Sequence, residues 1–329
     1  MIINPSYETI GSIFEKNILL EVPKYQRYYA WDDEQVDDFI KDINNVYTRQ
    51  HTEPGIEHFF GGIVPGSNRQ QRELIDGQQR ITTTILLIIA VIRKFNSFAD
   101  ADHQETIESF VNQLKDKYLV YKDRINRQPI EVSKLVLSNA DKQYFENIIA
   151  NRPLEESRDS HKKLKKAFQK ICSYVDQTVD CIPNIDDKID ALGDFDNIIH
   201  NNCTIIFIDA DSRESAYKLF QVLNDRGAGL TEGDLLKSKT LEVLERHFSV
   251  RQEALQSAWD GILEDDPKQV ETFLRYYYAS VCGRRVGRTT LYDEFLKQFF
   301  PSIVNKDDIV DETEAISLCD KVSDLFEEM

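Results

Sequence analysis

The residues best suited to chemistry lie at positions 74–80, where the string LIDGQQR joins a strand-like run to a helix-like one. A glycine at such a junction lets the backbone approach a ligand closely, and the first N–H groups of a helix are unpaired and favour an anion such as phosphate. The helix dipole disfavours a cation in the first turn, so Arg80 indicates an anion nearby. The candidate phosphate-binding residues are Asp76, Gly77, Gln78, Gln79 and Arg80.

Helix capping is an alternative explanation for two of these residues. Asp76 is a suitable N-cap, and Gln79 three residues later completes the pattern of a capping box. Thr82 and Thr83 add hydroxyl groups at the same end of the helix, where they either contact a ligand or pack against neighbouring elements. Only Arg80 has no explanation in capping, so it is the strongest single candidate.

A second cluster of polar and aromatic residues lies at positions 22–31, VPKYQRYYAW. Aromatic rings beside Gln26 and Arg27 could stack on a nucleobase while the charged group holds a phosphate. The candidate residues for such an aromatic pocket are Tyr25, Tyr28 and Trp31. The alternative is an aromatic cluster that closes the hydrophobic core, with Arg27 lying over one of the rings.

A third cluster spans positions 219–231, LFQVLNDRGAGLT, where one helix is expected to end and the next to begin. Asn224, Asp225 and Arg226 lie on a loop with two glycines, and Lys237 follows in the next helix. Such a loop suits the edge of a nucleotide or a metal-bound phosphate. An ordinary joint between two helices is the alternative.

Composition excludes several classes of protein. Of the 329 residues, 41% are hydrophobic, which is enough for a core and excludes a disordered chain. The formal net charge of −17 excludes a uniformly basic protein that coats nucleic acid. The longest apolar run, residues 85–92, is far shorter than the roughly 20 residues that span a bilayer, so no membrane segment is expected. The five cysteines form no CxxC pair and no signal peptide is apparent, which predicts a cytoplasmic protein. The P-loop and paired-histidine zinc motifs are missing.

Hydrophobic periodicity predicts an α+β fold. Strand-like runs and helices alternate over residues 1–100, helical periods dominate residues 101–329, and these two ranges are the predicted domains. Residues 203–209, CTIIFID, are expected to form a strand that rejoins the N-terminal sheet. Asp32 followed by Gln35 predicts a capping box before the next helix. The C-terminal residues end within a helical pattern, so we expect the chain to belong to a longer one.

Four strings, VPKYQRYYAW, HFFGGIV, LIDGQQRITT and LFQVLNDRGAGLTEGDLLK, resemble in type and order the N-terminal domain of the GmrSD-type, modification-dependent (type IV) restriction family. The same domain occurs in the phosphorothioation-linked Ssp defence effectors. The resemblance covers residues 20–240 approximately and implies a small ParB/sulfiredoxin-like mixed sheet with helices, followed by a mostly helical region. Gln26 and Arg27 are similar to the Gln-Pro-Arg box of ParB proteins, and residues 77–80 to their Gly-Glu-Arg-Arg phosphate-binding box.

The resemblance implies a domain that binds and hydrolyses a nucleoside triphosphate with Mg²⁺ and so controls DNA cleavage in anti-phage defence. Its catalytic residues would be Asp76, Arg80 and Arg27. The arginines would neutralise charge on the transferred phosphoryl group, and Asp76 would hold Mg²⁺ or orient the attacking water. The nucleotide-binding residues would be Gln26, Gly77, Gln78, Gln79, Thr82, Thr83, Asn224, Asp225, Arg226 and Lys237.

The nuclease half of that family carries a His-Asn-His-type motif, and none of the six histidines here has that neighbourhood. The nuclease is therefore expected downstream or in a separate subunit, unless the protein cleaves nothing. The alternative function is a sensor without hydrolysis, which binds modified DNA through Tyr25, Tyr28 and Trp31. Cleavage of DNA by the domain's own acidic residues is disfavoured by the net charge. The preferred nucleotide, the DNA modification and any oligomer stay open.

Overall fold

The structure is a computed structural model, and it describes residues 3–16, 18–23, 26, 28–65, 71–98, 102–125, 128–210, 232–244, 247–263, 267–287, 290–304, 306 and 308–328. The chain divides into two compact units. The first comprises residues 1–23 and 28–220, and the second comprises residues 24–27 and 221–329.

The first unit contains a mixed six-stranded sheet and a separate two-stranded hairpin. The strands are β1 (Ile3–Thr9), β2 (Leu19–Glu21), β3 (His58–Pro65), β4 (Gln71–Asp76), β5 (Val120–Ile125), β6 (Gln128–Ser133), β7 (Leu135–Val136) and β8 (Cys203–Ala210). The order in the sheet is β1-β8-β3-β4-β2-β7, and β5 pairs with β6. β1 and β4 are antiparallel to their neighbours β8 and β3, whereas the pairs β8–β3, β4–β2 and β2–β7 are parallel.

The described part of the first unit also contains seven α-helices: α1 (Ile10–Glu15), α2 (Asp33–Arg49), α3 (Gln78–Asn96), α4 (Gln104–Leu114), α5 (Asn139–Ile149), α6 (Asp159–Asp180) and α7 (Ile185–Asn197). Single π-helical turns, Lys115–Leu119 and Ile198–Asn202, follow α4 and α7. Helix α3 is central, since its residues from Ile81 to Ile92 are all buried. This agrees with a segment that is apolar on all sides.

The described part of the second unit is helical. It contains α8 (Glu232–Glu242), α9 (Ser249–Leu263), α10 (Pro267–Cys282), α11 (Leu291–Phe299) and α12 (Glu312–Glu327). Trp259 is fully buried in its core, and the indole Nε1–H donates to Thr240 Oγ1 at 2.8 Å. Burial of large aromatic side chains supplies most of the apolar area of such a helical core.

The α+β class with a mixed sheet is confirmed, as is the capping box that Asp32 and Gln35 form at the start of α2. Strand β8 lies between β1 and β3 in the N-terminal sheet. The two domains expected at residues 1–100 and 101–329 stay a prediction. Among the described residues, no helix is both long enough and apolar enough to span a bilayer.

Strand β1 and helix α1 are elements that the sequence pattern did not indicate. β1 has the sequence INPSYET, in which Pro5 and polar residues break the usual strand pattern. A proline is tolerated there because β1 is an edge strand, where the missing N–H removes no hydrogen bond from the middle of the ladder. Helix α1 has only six residues, too few to show a helical period.

Candidate functional site

The predicted strand–turn–helix junction is formed by β4, Gly77 and α3. Gly77 is the N-cap of α3 and has a φ of +89°, in the left-handed region. A Cβ at this position would lie 2.8 Å from Ile63 Cγ1 and 3.3 Å from the carbonyl oxygen of Gly62, so a glycine is required. The alternative explanation by an Asp76–Gln79 capping box is wrong. The cap is a glycine, which has no side chain to satisfy the first N–H groups of the helix.

The guanidinium group of Arg80 lies beside this turn and has two partners. Nη1 donates to the carbonyl oxygen of Phe60, and Nη2 lies 3.4 and 3.5 Å from the two carboxylate oxygens of Asp76. The side chains of Arg80 and Asp76 are 25% and 21% exposed. Asp76 therefore compensates for the unfavourable position of a cation in the first turn of α3, while part of the guanidinium group stays accessible.

A β-bulge in β3 makes room for this guanidinium group. Phe59 pairs with Thr204 of β8, and Gly62 pairs with Ile206. Three residue steps along β3 therefore correspond to two along β8, so β3 carries one extra residue. Gly61 lies in the bulge with a φ of +89°, and a Cβ there would lie 2.2 Å from Nη1 of Arg80. The string HFFGGIV thus combines a strand with a glycine whose missing side chain gives Arg80 its space. The sequence pattern alone does not indicate this role for Gly61.

Gln79 makes contact with the aromatic segment rather than with the helix end. Its Oε1 accepts from the N–H of Ala30 at 2.9 Å, and its Nε2 donates to the carbonyl oxygen of Tyr28 at 3.1 Å. The residue is 7% exposed. Both ends of the amide are thus used to hold the backbone of residues 28–30 against the start of α3, which favours a structural role for Gln79.

The threonines of α3 extend the same buried network. The Tyr29 hydroxyl donates to Thr83 Oγ1 at 2.8 Å, and Thr83 Oγ1 donates to the carbonyl oxygen of Gln79 at 2.8 Å. Burial raises the pKa of Tyr29. Thr82 and Thr83 are 2% and 0% exposed, so both hydroxyl groups lie inside the unit. Gln78 is also buried, at 8% exposure.

Asp141 also anchors the aromatic segment, and it was not among the candidates indicated by the sequence. Its Oδ2 accepts from the N–H of Tyr29 at 2.9 Å, and its Oδ1 accepts from Ser160 Oγ at 2.5 Å. His161 Nε2 lies 3.7 Å from Oδ1. Burial raises the pKa of the Asp141 carboxyl, against the opposing effect of these hydrogen bonds. A sequence signal existed, because Asp141 begins the i, i+3, i+4, i+7 stripe that continues with the buried Tyr144, Phe145 and Ile148.

The candidate aromatic pocket is only partly described. The ring of Tyr28 lies 5.0 Å from the guanidinium carbon of Arg158, and the Trp31 ring packs on Phe39 at 6.2 Å. Both residues are partly exposed, whereas Gln26 is 2% exposed. Tyr25 and Arg27 lie outside the described residues.

The third cluster of candidates is represented by Lys237 alone, because Asn224, Asp225 and Arg226 lie outside the described residues. Lys237 is on α8 of the second unit, and its Nζ lies 2.6 Å from Asp260 Oδ1 on α9. The Lys237 side chain is only 3% exposed. A buried cation needs such a partner, so this ion pair gives Lys237 a structural role in the second unit.

Asp76 is the candidate Mg²⁺ ligand of the turn. Across the described ranges, no group of three or more His, Cys, Asp and Glu side chains is arranged to hold a metal ion. Mg²⁺ that arrives with a nucleotide needs only one or two protein carboxylates, because the phosphates and water supply the other ligands. The partly exposed oxygens of Asp76 fit that donor set.

The fold and the turn define an α+β domain in which a glycine-capped central helix presents an arginine at its first turn. The family model described as the N-terminal domain of the GmrSD restriction endonuclease matches residues 10–241. Because the match covers more than two thirds of the chain, the chain belongs to this family and is a domain of a restriction-type defence system. The resemblance found in the sequence is confirmed. No curated protein matches the chain.

Proposed function

We propose that this domain binds and hydrolyses a nucleoside triphosphate and so regulates DNA cleavage in a modification-dependent restriction system. The phosphates bind at the turn formed by Asp76, Gly77 and the start of α3. The proposal rests most directly on Arg80, whose guanidinium group is fixed by Phe60 and Asp76 and whose side chain stays a quarter exposed, beside a helix start that no side chain caps. A fixed, accessible cation at a helix N-terminus is suited to phosphate.

The roles of the residues follow from their chemistry. Arg80 neutralises charge that develops on the transferred phosphoryl group, and its two protein contacts keep it in one orientation before the nucleotide binds. Asp76 is the residue that would hold Mg²⁺, which supplies further positive charge to the phosphate oxygens. Further contacts included in the proposal are Gln26, Arg27, Asn224, Asp225 and Arg226.

The regulatory part of the proposal rests on family membership. A restriction endonuclease family requires a nuclease, and a nucleotide-dependent domain is a means of releasing its activity only on the correct DNA. The nuclease is proposed to be a His-Asn-His-type domain or subunit that acts with this chain, and the system is proposed to act in the cytoplasm.

Phosphate release by the purified protein tests the proposal, with Mg²⁺ and each of the four nucleoside triphosphates in turn. Arg80→Gln is expected to lower kcat about 10²–10³-fold, in the range found when one charge-stabilising donor is removed. Arg49→Gln is the matched control, since Arg49 lies on the exposed end of α2 and pairs with Glu53. Wild-type turnover in a folded Arg80→Gln variant would contradict the proposal.

A second candidate function is recognition of modified DNA without hydrolysis. Its supporting observation is the partly exposed Tyr28, whose ring lies against Arg158, because an aromatic face next to a cation is suited to a base and its phosphate. Trp31 belongs to the same proposed pocket, and Tyr25, outside the described residues, stays an expected member from the sequence. Binding of modified and unmodified duplexes of one sequence, compared at the same salt concentration, tests this function. Equal affinity for both duplexes would exclude it.

A further inference from the structure

A large cavity lies in the first unit, at the opposite end of α3 from Arg80. Its volume is about 1040 Å³, which is sufficient for an organic molecule of drug size. The apolar part of its wall comes from α3, the segment 119–120, β7 and the end of α5: Ile89, Ile92, Leu119, Val120, Val136 and Ile149. Half of the lining residues are polar or charged, so the cavity combines an apolar wall with polar groups.

Arg93 contributes a charge to this wall, and no carboxylate of the described residues pairs with it. Its Nη2 donates to the carbonyl oxygen of Ile148 at 3.2 Å, and the guanidinium carbon lies 4.4 Å from the centroid of the Phe168 ring. Its Nε is buried and has no hydrogen-bond partner. Burial lowers the pKa of Arg93. One carbonyl oxygen satisfies one of five donors, so much of the hydrogen-bonding capacity of this guanidinium group remains unused.

The next residue on α3, Lys94, is in contrast paired with two carboxylates. Lys94 Nζ lies 2.9 Å from Asp176 and 2.7 Å from Asp180. Lys115 and Lys142, which also line the cavity, form no ion pair within the described ranges. The wall also carries the carboxyl groups of Glu21 and Glu146, so its charged residues are three cations and two carboxylates. Among the described residues, neither carboxylate forms an ion pair with Arg93.

We propose that this cavity binds an organic anion with an apolar body, whose anionic group contacts Arg93. The apolar walls exclude inorganic phosphate as the preferred ligand, because a small hydrated anion gains nothing from them. The unused donors of Arg93, in a wall with three cations and two carboxylates, favour an anion at Arg93 over a neutral molecule of the same shape. Arg93 follows Arg80 by thirteen residues, which is about 20 Å along the helix, so the cavity is separate from the proposed phosphate site.

Two fluorescent probes with the same aromatic body test the proposal on the full chain. The anionic probe is 8-anilinonaphthalene-1-sulfonate, and the neutral probe is N-phenyl-1-naphthylamine, which lacks the sulfonate. Arg93→Gln is expected to raise the Kd of the anionic probe about tenfold, through loss of a charged hydrogen bond, and to leave the Kd of the neutral probe within about twofold. Ala150→Trp places a large side chain in the wall and is expected to abolish saturable binding of both probes.

Two further variants make the test independent of how well Arg93→Gln folds. Arg49→Gln is the matched arginine outside the cavity and should leave both Kd values unchanged. The double variant Lys115→Gln/Lys142→Gln alters exposed side chains only, and it is expected to weaken the anionic probe about threefold. The proposal is overturned if Ala150→Trp binds both probes as the wild type does. It is also overturned if the double variant and a folded Arg93→Gln bind the sulfonate as the wild type does.

Discussion

The two ends of α3 carry arginines in opposite electrostatic situations. Arg80 lies at the N-terminal end, where the helix dipole disfavours a cation, and Asp76 and the Phe60 carbonyl compensate for it. Arg93 lies at the C-terminal end, where the dipole favours a cation, and no carboxylate pairs with it among the described residues. Arg80, whose position the sequence marks as unfavourable, therefore has a counter-charge in the fold, whereas Arg93 has none among the described residues.

The ion pair between Arg80 and Asp76 limits what the LIDGQQR motif implies about a ligand. The position of Arg80 in the first turn does not by itself require a ligand, because the protein supplies an internal anion. What supports phosphate binding is that the guanidinium group is fixed and still partly exposed. At Arg93, in contrast, the protein supplies only a carbonyl dipole and an aromatic face, which leaves the charge available to an anion.

The largest effect is expected from a methyl group placed against Arg80. Gly61→Ala combines a φ of +89° with a Cβ at 2.2 Å from Nη1, and it is expected to destabilise the protein by about 3 kcal/mol. Gly55→Ala is the matched control, because Gly55 has a φ of +82° and no atom within 4 Å of its Cβ position; about 1 kcal/mol is expected. Urea unfolding measures both. Equal losses would show that the Arg80 contact contributes nothing.

The second effect tests the contrast between the two arginines directly. Arg80→Met leaves the Asp76 carboxylate and the Phe60 carbonyl without their partner, and about 2 kcal/mol of stability is expected to be lost. Arg93→Met leaves no carboxylate unpaired, so a loss of less than about 1 kcal/mol is expected. Both values come from urea unfolding at one pH. A larger loss for Arg93→Met would reverse the comparison.

The third effect concerns the segment held against the N-terminal end of α3. Gln79→Ala removes the hydrogen bonds to Ala30 and Tyr28 and is expected to reduce stability by about 1.5 kcal/mol. Gln143→Ala, on the exposed face of α5, is the control and should lie within about 0.5 kcal/mol of the wild type. If the two substitutions had the same effect, Gln79 would not be a structural clamp.

The smallest effect is a pH dependence that arises at Asp141. Burial raises its pKa in the folded state, so the folded protein retains a proton that the unfolded chain has already released. The contribution of Asp141 to the free energy of unfolding is thus complete below the ordinary aspartate pKa. It declines as the pH rises towards the pKa of Asp141 in the folded protein. His161 and Arg158 oppose the shift without reversing it.

The advantage of the wild type over Asp141→Asn is therefore expected to shrink as the pH rises above about 4, the ordinary aspartate pKa. Unfolding free energies of both proteins over that rise in pH measure it. An advantage that grows with pH would mean that the carboxylate is favoured in the folded protein.

Local patterns predicted elements more reliably than they predicted side-chain roles. The capping box of Asp32 and Gln35 was visible because both residues act within one turn. The strand over residues 203–209 was visible from its β-branched run, and its place between β1 and β3 agrees with that expectation. For Gln79 the sequence left capping and phosphate binding open and did not indicate its contacts with Ala30 and Tyr28, because these partners lie about fifty residues earlier in the chain.

The sequence by itself determined the α+β class, the glycine that turns β4 into α3, and the family to which the chain belongs. These follow from short-range rules of backbone conformation, periodicity and residue spacing. Only the tertiary structure decided which charges are neutralised. Asp76 reaches Arg80, Asp260 reaches Lys237, and no carboxylate reaches Arg93 in the described part of the first unit, because ion pairs depend on distances in space between residues that sequence separation does not specify.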